Sequence, residues 1–361
     1  MKPLEYTVRF TTPAFLGNAE QNGQWRTPPF KALLRQWWRV ASGITDVARL
    51  REEEGQMFGA AREEGGGSQR SRVRIRLVGE QSWRLGSLTG AWGNDPRVFH
   101  QEVGQNGMNV GAHLYLGYGP LTYRQGTTLK SNAAVQADET NTLRLAWPEG
   151  ETSVGDAVQL AHWFGTVGGR SRNGWGSLEL LRSLREADGG DGVQLAELQV
   201  DHLLLSRIAR PLQDCVHRDW PHALGQGADG RLLLWQSART FANWREAMQA
   251  LAKAKIGFRT QFQLHGPGPF EQRHLLAYPV TNHPVHAWGN QSRLANQLRF
   301  KVAKNLEGRL VARIVHLPCA LPRELARALG HQAPNIQQQV AIWQTVHGWL
   351  DNTNQSGFQR I

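Results

Sequence analysis

The segment FGTVGGRSRNGWGSLEL, residues 164–180, has the most specific composition in the chain. Five of its residues are glycine, interspersed with Arg170 and Arg172. The apolar pattern of residues 154–164 predicts a helix, and the residues from 177 to 181 predict a strand. The order helix, glycine-rich loop, strand is typical of an α+β domain.

This glycine-rich loop suits contact with phosphate. Glycine lacks the Cβ atom that keeps a ligand from the backbone, and the two arginines supply positive charge. The loop lacks the GK[ST] ending of a P-loop. It follows a helix and precedes a strand, whereas a Rossmann fingerprint follows a strand and opens a helix. The alternative is a turn that needs left-handed backbone. The candidate phosphate-binding residues are Gly168, Gly169, Arg170, Arg172, Gly174 and Gly176.

Residues 30–41 predict an amphipathic helix with a cationic edge. The apolar residues recur at helical spacing, Thr27 is a candidate cap and Gly43 a stop signal. No acidic residue occurs between Glu20 and Asp46, whereas a surface helix usually mixes charge signs. The row therefore predicts contacts with nucleic-acid phosphates, the alternative being a solvated face. Its apolar members are Phe30, Leu33, Leu34, Trp37, Trp38 and Ala41, and its cations are Arg26, Lys31, Arg35 and Arg39.

The segment SQRSRVRIRLVG, residues 68–79, places four arginines at alternate positions. In a strand their guanidinium groups share one face and repel one another unless an anion lies across them. RNA is one such anion, and the nearby glutamates of residues 52–54 and 63–64 are the alternative. The four residues are Arg70, Arg72, Arg74 and Arg76.

The 361 residues carry a net charge of +11, and arginine supplies 34 of the 41 basic residues. Arginine suits phosphate recognition better than lysine, so a polyanionic partner is favoured. With two cysteines, no apolar signal core and no long apolar run, the chain is expected to be soluble and cytoplasmic, without a disulfide framework or membrane span.

The glycine-rich residues 186–192 predict a boundary between two similar α+β units, residues 1–187 and 193–361. Each unit is expected to open and close with a strand, such as LAELQVDHLLL after the boundary and GRLVARIVHL near residue 308. Residues 80–146, which include HLYLGYG, predict a β-hairpin insertion in the first unit.

Four stretches together resemble the RAMP superfamily of CRISPR effector proteins, and within it the Cmr-one-type subunit of type III-B complexes. The opening motif and the glycine-rich loop match best. In the late stretch this chain reads Leu294-Ala295-Asn296 where the family usually has serine-proline, which weakens the match around Arg293. The stretches are FTTPAFLGNAEQNGQWRTPPFKALLRQWWRV (residues 10–40), EEEGQMFGAA (52–61), the loop (164–180), and SRLANQLRFKV (292–302) followed by LVARIVHLP (310–318).

The resemblance implies two ferredoxin-like (RAMP/RRM-like) domains in tandem. It also implies an RNA-binding subunit of a CRISPR ribonucleoprotein in antiviral defence, in contact with CRISPR RNA, target RNA and other RAMP subunits near the guide 3′ end. The cations of the first helix, Arg170, Arg172 and Arg293 would then contact RNA. No cofactor is implied.

Two further classes are alternatives. One is a metal-independent RAMP endoribonuclease that processes CRISPR RNA, with His162 as the catalytic candidate, although its apolar neighbours favour a structural role. The other is an adaptor whose basic surface meets acidic subunits. The groups Cys215/His217/His222 and His283/His286 lack the paired spacing of a zinc site, so no metal is expected.

Overall fold

The computed structural model describes residues 3–61, 68–79, 83–90, 92–185, 193–198 and 201–361. The fold is mixed α+β, as the sequence predicts. The boundary segment, residues 186–192, lies outside the described residues. None of the helices in the described ranges is long and apolar enough to cross a membrane.

Strands and helices are numbered here in chain order. The strands are β1 (Leu4–Phe10), β2 (Arg74–Val78), β3 (Arg97–His100), β4 (Met108–Gly111), β5 (Leu121–Tyr123), β6 (Thr127–Leu129), β7 (Thr140–Ala146), β8 (Leu178–Arg185), β9 (Val193–Glu197), β10 (Ala209–Pro211), β11 (Leu224–Gln226), β12 (Leu234–Ser237), β13 (Leu298–Lys304), β14 (Leu310–His316) and β15 (Phe358–Arg360). The α-helices are α1 (Thr27–Ala41), α2 (Val47–Phe58), α3 (Ala112–Gly117), α4 (Thr152–Phe164), α5 (His202–Ile208), α6 (Leu212–Cys215), α7 (Trp244–Arg259), α8 (Arg323–Leu329), α9 (Ile336–Asp351) and α10 (Thr353–Ser356), and the 3-10 helices are Gln272–Leu275, His286–Trp288 and Gly330–Gln332.

The chain forms two compact units, each discontinuous in sequence. The first comprises Met1–Asn94, Gly117–Ile208 and Lys301–Ala303. The second comprises Asp95–Leu116, Ala209–Phe300 and Lys304–Ile361. Part of the predicted insertion, with β3, β4 and most of α3, therefore groups with the second unit.

The first unit contains a five-stranded antiparallel sheet in the order β2-β7-β1-β8-β9. Its chain path is β1, α1, β2, then β7, α4, β8, a β–α–β–β–α–β arrangement. Helix α1 packs on α4 and contacts β2, and α4 contacts β8. The strands alternate because one face is buried: Tyr6, Val8 and Phe10 of β1 are at most 4% exposed.

Two segments differ from their predicted structures. Strand β7 lies within the range assigned to an insertion, yet it pairs with both β1 and β2 because Asn141, Leu143 and Leu145 fill buried positions. The run HLYLGYG is not a strand: most of it forms helix α3, whose first N–H groups are capped by Asp95.

The second unit repeats the β–α–β–β–α–β path through β12, α7, β13, β14, α9 and β15, in a sheet of order β13-β14-β12-β15. The predicted opening strand LAELQVDHLLL is wrong in its second part. Val193–Glu197 forms β9 and pairs with β8, whereas His202–Ile208 is helix α5. The run GRLVARIVHL does form a strand, β14, but β15 is the last strand of the unit.

Candidate nucleic-acid interface

The exit of β1 and the glycine-rich loop pack directly on each other in the first unit. The Gly169 N–H donates to the carbonyl of Phe15 at 3.0 Å, and the Gly176 N–H donates to that of Pro13 at 2.8 Å. The Gly174 N–H is also occupied, since it donates to the Ser171 carbonyl. These amides hold the protein together, so a ligand of this loop would be contacted mainly by side chains.

The loop needs glycines because its backbone adopts left-handed conformations and passes close to other backbone atoms. This agrees with the alternative interpretation of the loop as a left-handed turn. Gly168 and Gly176 have φ angles of +90° and +64°, in the left-handed region. A Cβ atom on Gly168 would lie 2.7 Å from the Phe15 carbonyl oxygen, and one on Gly176 would lie 1.9 Å from that of Val167. The glycines thereby fix the path of the loop and the placement of its arginines.

Lys301 fastens the two ends of the loop. Its buried ammonium donates to the carbonyl of Leu178, at the start of β8, at 2.7 Å, and also to that of His162 in the last turn of α4. A cation at a helix C-terminus satisfies carbonyls that have no partner within the helix. The late stretch quoted for the family resemblance thus supplies a structural lysine to the first unit.

Arg170 and Arg172 occupy the tip of the loop. Arg170 is exposed, has a φ of +57°, and places its guanidinium beside Gly119, where an added Cβ would lie 3.4 Å from Nη2. Arg172 is half-buried. The tip therefore presents guanidinium charge from a backbone that is tightly held.

Helix α1 forms as predicted, with Phe30, Leu33, Leu34, Trp37 and Trp38 all buried. The capping prediction was wrong: the N-cap residue is Arg26, in extended conformation, and no side chain caps the helix. The two prolines in the first turn lack N–H groups, which reduces the need for a cap.

The cationic edge of α1 meets a carboxylate that lies outside the helix. Glu54 of α2 is 5% exposed and accepts hydrogen bonds from Arg35 Nε at 2.7 Å and from Arg39 Nη2 at 2.8 Å. Burial would raise the pKa of Glu54, but the hydrogen bonds from Arg39 and Arg35 outweigh it and hold that pKa below its ordinary value. One carboxylate thus offsets one of two positive charges, and the arginine side chains remain 40% and 44% exposed.

The remaining cations of this edge have different surroundings. Lys31 is half-buried, and burial followed by repulsion from Arg35 lowers its pKa. The Nε atom of Arg26 is buried and has no hydrogen-bond partner within the described part of the chain.

The arginine strand has the predicted alternation. Arg70, Arg72, Arg74 and Arg76 are exposed, whereas Val73 and Leu77 are buried. The regular strand β2 begins at Arg74, and β2 is an edge strand. Among the described residues, none of the four arginines has an acidic partner; residues 63–64, offered as the alternative, lie outside the described ranges.

A further arginine on the same sheet face was missed by the sequence analysis. Arg144 of β7 lies directly opposite Arg76, and its Nε donates to Glu5 of β1 at 2.8 Å. Like charges directly opposite each other repel. Glu5 offsets the charge of Arg144, and Arg76 has no acidic partner in the described part of the chain. The alternation of TNTLRLA, residues 140–146, was the available signal.

The other two candidates have local hydrogen bonds. Arg293 lies in the second unit, is exposed, and donates to the carbonyls of Asn290 and Ser292. His162 Nδ1 accepts a hydrogen bond from the Leu180 N–H at 3.0 Å, which fixes the ring against β8.

The described residues contain no group of three or more His, Cys, Asp or Glu side chains arranged to hold a metal ion. Burial raises the pKa of the Cys215 thiol to about 12, so it stays protonated near neutral pH. His222 Nδ1 contacts the carbonyl of Trp220. Cys215 and His222 are thus buried in the second unit, whereas His217 is exposed.

Comparison with known proteins gave matches among solved structures alone, since no family model and no curated protein matches the chain. The crystal structure of apo Cmr1 from Pyrococcus furiosus is 14% identical, with a TM-score of 0.39 and coverage of 88% of each chain. A chain of the type III-B Cmr-beta complex bound to cognate target RNA is 10% identical, with a TM-score of 0.44 and coverage of 87% of this chain and 94% of that one. Another Cmr-beta structure, with target RNA and AMPPnP in the presence of ssDNA, is 10% identical, with a TM-score of 0.41 and coverage of 95% and 98%.

Proposed function

We propose that this chain is an RNA-binding subunit of a type III CRISPR ribonucleoprotein effector complex. It contacts the backbone of CRISPR RNA or target RNA near the guide 3′ end and assembles with other RAMP subunits in the cytoplasm. Its two β–α–β–β–α–β units are ferredoxin-like domains in tandem. The sequence motifs of residues 10–40 and 164–180 support this proposal.

The observation that carries the proposal is the arginine row that leads into β2, for which the described residues supply no acidic partner. Arg74 and Arg76 are exposed on one face of the edge strand, and Arg70 and Arg72 are exposed just before it. Described carboxylates of neighbouring elements are engaged elsewhere: Glu54 by Arg35 and Arg39, Glu5 by Arg144. Such a row is stabilised by a polyanion whose charges repeat along its length, which is the character of an RNA backbone. Contacts to phosphate do not depend on base identity, so binding is expected to be independent of sequence.

The test compares two double variants in binding to a fluorescent single-stranded RNA. Arg74→Gln/Arg76→Gln removes two charges from the row, and Arg323→Gln/Arg327→Gln removes two from the exposed face of α8 as a matched control. The plot of log affinity against log salt should become shallower by about 1 for each phosphate contact removed. The row variant should show this and the control should not; equal slopes for both variants and the wild type would refute the role of the row.

The same subunit is proposed to bind RNA without cleaving it. The ring of His162 is held by a backbone hydrogen bond from Leu180, which is a positioning contact within the protein. Labelled repeat RNA incubated with the protein and a chelator should be recovered at full length. Discrete cuts that disappear in His162→Ala would establish the endoribonuclease alternative.

A further inference from the structure

A hairpin and a helix from the first half of the sequence are anchored on α7 in the second unit. Gln249 of α7 donates to the carbonyl of Arg97 in β3 at 2.8 Å. His113 Nε2 lies 3.3 Å from the carbonyl of Arg245, and Asp95 accepts the N–H group of His113 at 2.8 Å. These contacts place the side chains of β3 and α3 over one side of α7.

Tyr115 of α3 is the centre of the cluster that results. Its ring centroid lies 5.6 Å from that of His100, and the Lys255 ammonium lies 5.4 Å from the Tyr115 centroid. Arg259, the last residue of α7, and Arg273 are near enough to act on the Tyr115 hydroxyl electrostatically. Three cations and one phenol hydroxyl therefore converge.

Among the described residues, one carboxylate is recorded as acting on this cluster, and it is already engaged. Arg273 Nη1 lies 2.6 Å from both carboxylate oxygens of Glu102. Arg259 is 8% exposed, and burial lowers its pKa. Repulsion from Arg273 acts in the same direction, while Tyr115 and Glu102 act against it. The charge of Glu102 offsets that of Arg273 and leaves that of Arg259 in excess.

Several donors in this cluster have no acceptor among the described residues. The second unit contains only described residues, and within them neither the Arg259 guanidinium nor the Tyr115 hydroxyl has a hydrogen-bond partner. The Nε atom of Arg273 is buried and likewise lacks a partner. A guanidinium withdrawn from water without a counter-charge is strongly unfavourable, so a structure that retains one is suited to an anionic ligand.

The positions of the unpaired donors favour an anion with several acceptor oxygens. They come from different elements, namely α7, α3 and the 3-10 helix Gln272–Leu275, and a ligand must offer acceptors to all of them. A phosphate group has several strong acceptor oxygens, and arginine binds such oxygens through charge-assisted hydrogen bonds.

We propose that Arg259, Tyr115 and Arg273 form a binding site for a phosphate group of RNA in the second unit. The proposal rests on the proposed RNA-binding function and extends it to residues in regions where the sequence shows no distinctive motif. Lys255, held over the Tyr115 ring, adds positive charge beside the site, and Glu102 orients Arg273.

The test uses the full chain, three variants and three ligands. Arg259→Gln removes the excess charge, Tyr115→Phe removes one hydroxyl with little change in shape, and Lys253→Gln, on the exposed side of α7, is the control for charge. The ligands are a single-stranded RNA with a terminal phosphate, the same RNA ending in hydroxyl groups, and inorganic phosphate. Affinity is measured by fluorescence anisotropy for the RNAs and by calorimetry for phosphate, with circular dichroism to verify folding.

Arg259→Gln should lower RNA affinity at least roughly 10-fold, as expected for the loss of a hydrogen bond to a charged group, and Tyr115→Phe should lower it by a smaller factor. Lys253→Gln should change it much less. A loss seen for the phosphorylated RNA alone assigns a terminal phosphate, whereas an equal loss for both RNAs assigns a backbone phosphate. Folded Arg259→Gln and Tyr115→Phe proteins that bind RNA as the wild type does would overturn the site.

The phosphate measurement separates this site from the proposed function. If the wild type bound no RNA but bound inorganic phosphate, and Arg259→Gln abolished that binding, the anion site would stand and the RNA-binding role would fall. If the wild type bound RNA and neither variant affected it, the role would stand and the site would fall. Wild-type protein that bound neither ligand would refute both.

Discussion

At the scale of the residue, Glu54 decides what the cationic edge of α1 can do. It offsets one of the two charges of Arg35 and Arg39 and sets the positions of both guanidinium groups. A double Arg35→Glu/Arg39→Glu variant would place three carboxylates together, with Glu54 buried, and would be expected to damage the fold. A loss of RNA binding in that variant could therefore result from damage to the fold. A substitution of Glu54 leaves both arginines in place and separates the two effects.

Glu54→Gln is expected to lower the free energy of unfolding by about 1–2 kcal/mol, a modest value because the arginine side chains are partly exposed. In the folded wild type the pKa of Glu54 is below the ordinary value of 4.5. The ion pair therefore contributes stability above that value and loses it as the pH falls through the lower, folded-state pKa. Urea unfolding at pH 7 and pH 3.5 should show a larger difference between wild type and variant at pH 7.

The same variant reports on RNA. If Arg35 and Arg39 contact phosphate, removal of the competing carboxylate charge should raise RNA affinity about 1.5- to 5-fold, the range for a single exposed charge interaction. Arg49→Gln, an exposed change on α2, measures the effect of altering that helix. Unchanged affinity in Glu54→Gln would remove α1 from the RNA-binding surface.

At the scale of the element, helix α1 is a core element with one polar edge. Trp37 is 1% exposed and its ring centroid lies 5.6 Å from that of Phe164 in α4. Because α4 leads directly into the glycine-rich loop, the packing of α1 on α4 also determines where the loop begins. The tryptophans of this helix therefore act on the candidate interface through structure.

Trp37→Ala is expected to destabilise the protein by about 3–5 kcal/mol, as do other deletions of large core side chains. Trp83→Ala, which removes a side chain from a residue that is 56% exposed, should change stability by no more than about 0.5 kcal/mol. Thermal or chemical unfolding of both variants makes the comparison. Similar stabilities would show that Trp37 is not part of the core.

At the scale of the whole molecule, buried histidines couple folding to pH. Burial lowers the pKa of His347 to about 3 and, against the opposing charge of Asp95, that of His113 to about 4. His316, whose Nδ1 lies 2.9 Å from Nε2 of His347, is also held well below its ordinary pKa by burial and by that neighbour. These rings stay neutral in the folded protein, while the unfolded chain takes up protons near pH 6.5.

The contribution of these histidines to the free energy of unfolding should therefore be complete above about pH 6.5 and should decrease as the pH is lowered below that value. Each such histidine contributes about 1.4 kcal/mol of loss per pH unit until its folded pKa is reached. Between pH 7.5 and 5.5, His347→Gln should lose about 1.4 kcal/mol less than the wild type, while His331→Gln, on the surface, should follow the wild type. A wild-type protein equally stable at both pH values would contradict this.

The amino-acid sequence was sufficient to predict the elements whose signals are local. The periodicity of residues 30–41 indicated α1, the alternation of arginine with Val73 and Leu77 indicated the exposed face of β2, and the glycines indicated a loop between α4 and β8. Each follows from how side chains repeat along one helix or strand.

The interaction partners became visible only in the folded chain, because they come from distant positions in the sequence. No acidic residue lies near α1 in the sequence, so no partner for its cations could be predicted. In the fold, Glu54 of α2 accepts hydrogen bonds from Arg35 and Arg39. The sequence suggested that the glycine N–H groups could bind phosphate. In the fold, those of Gly169 and Gly176 donate to carbonyls of the segment that follows β1. Burial and charge pairing depend on which elements meet. This is why neither the pairing of Glu54 with the cations of α1 nor the excess charge of Arg259 could be predicted from local pattern.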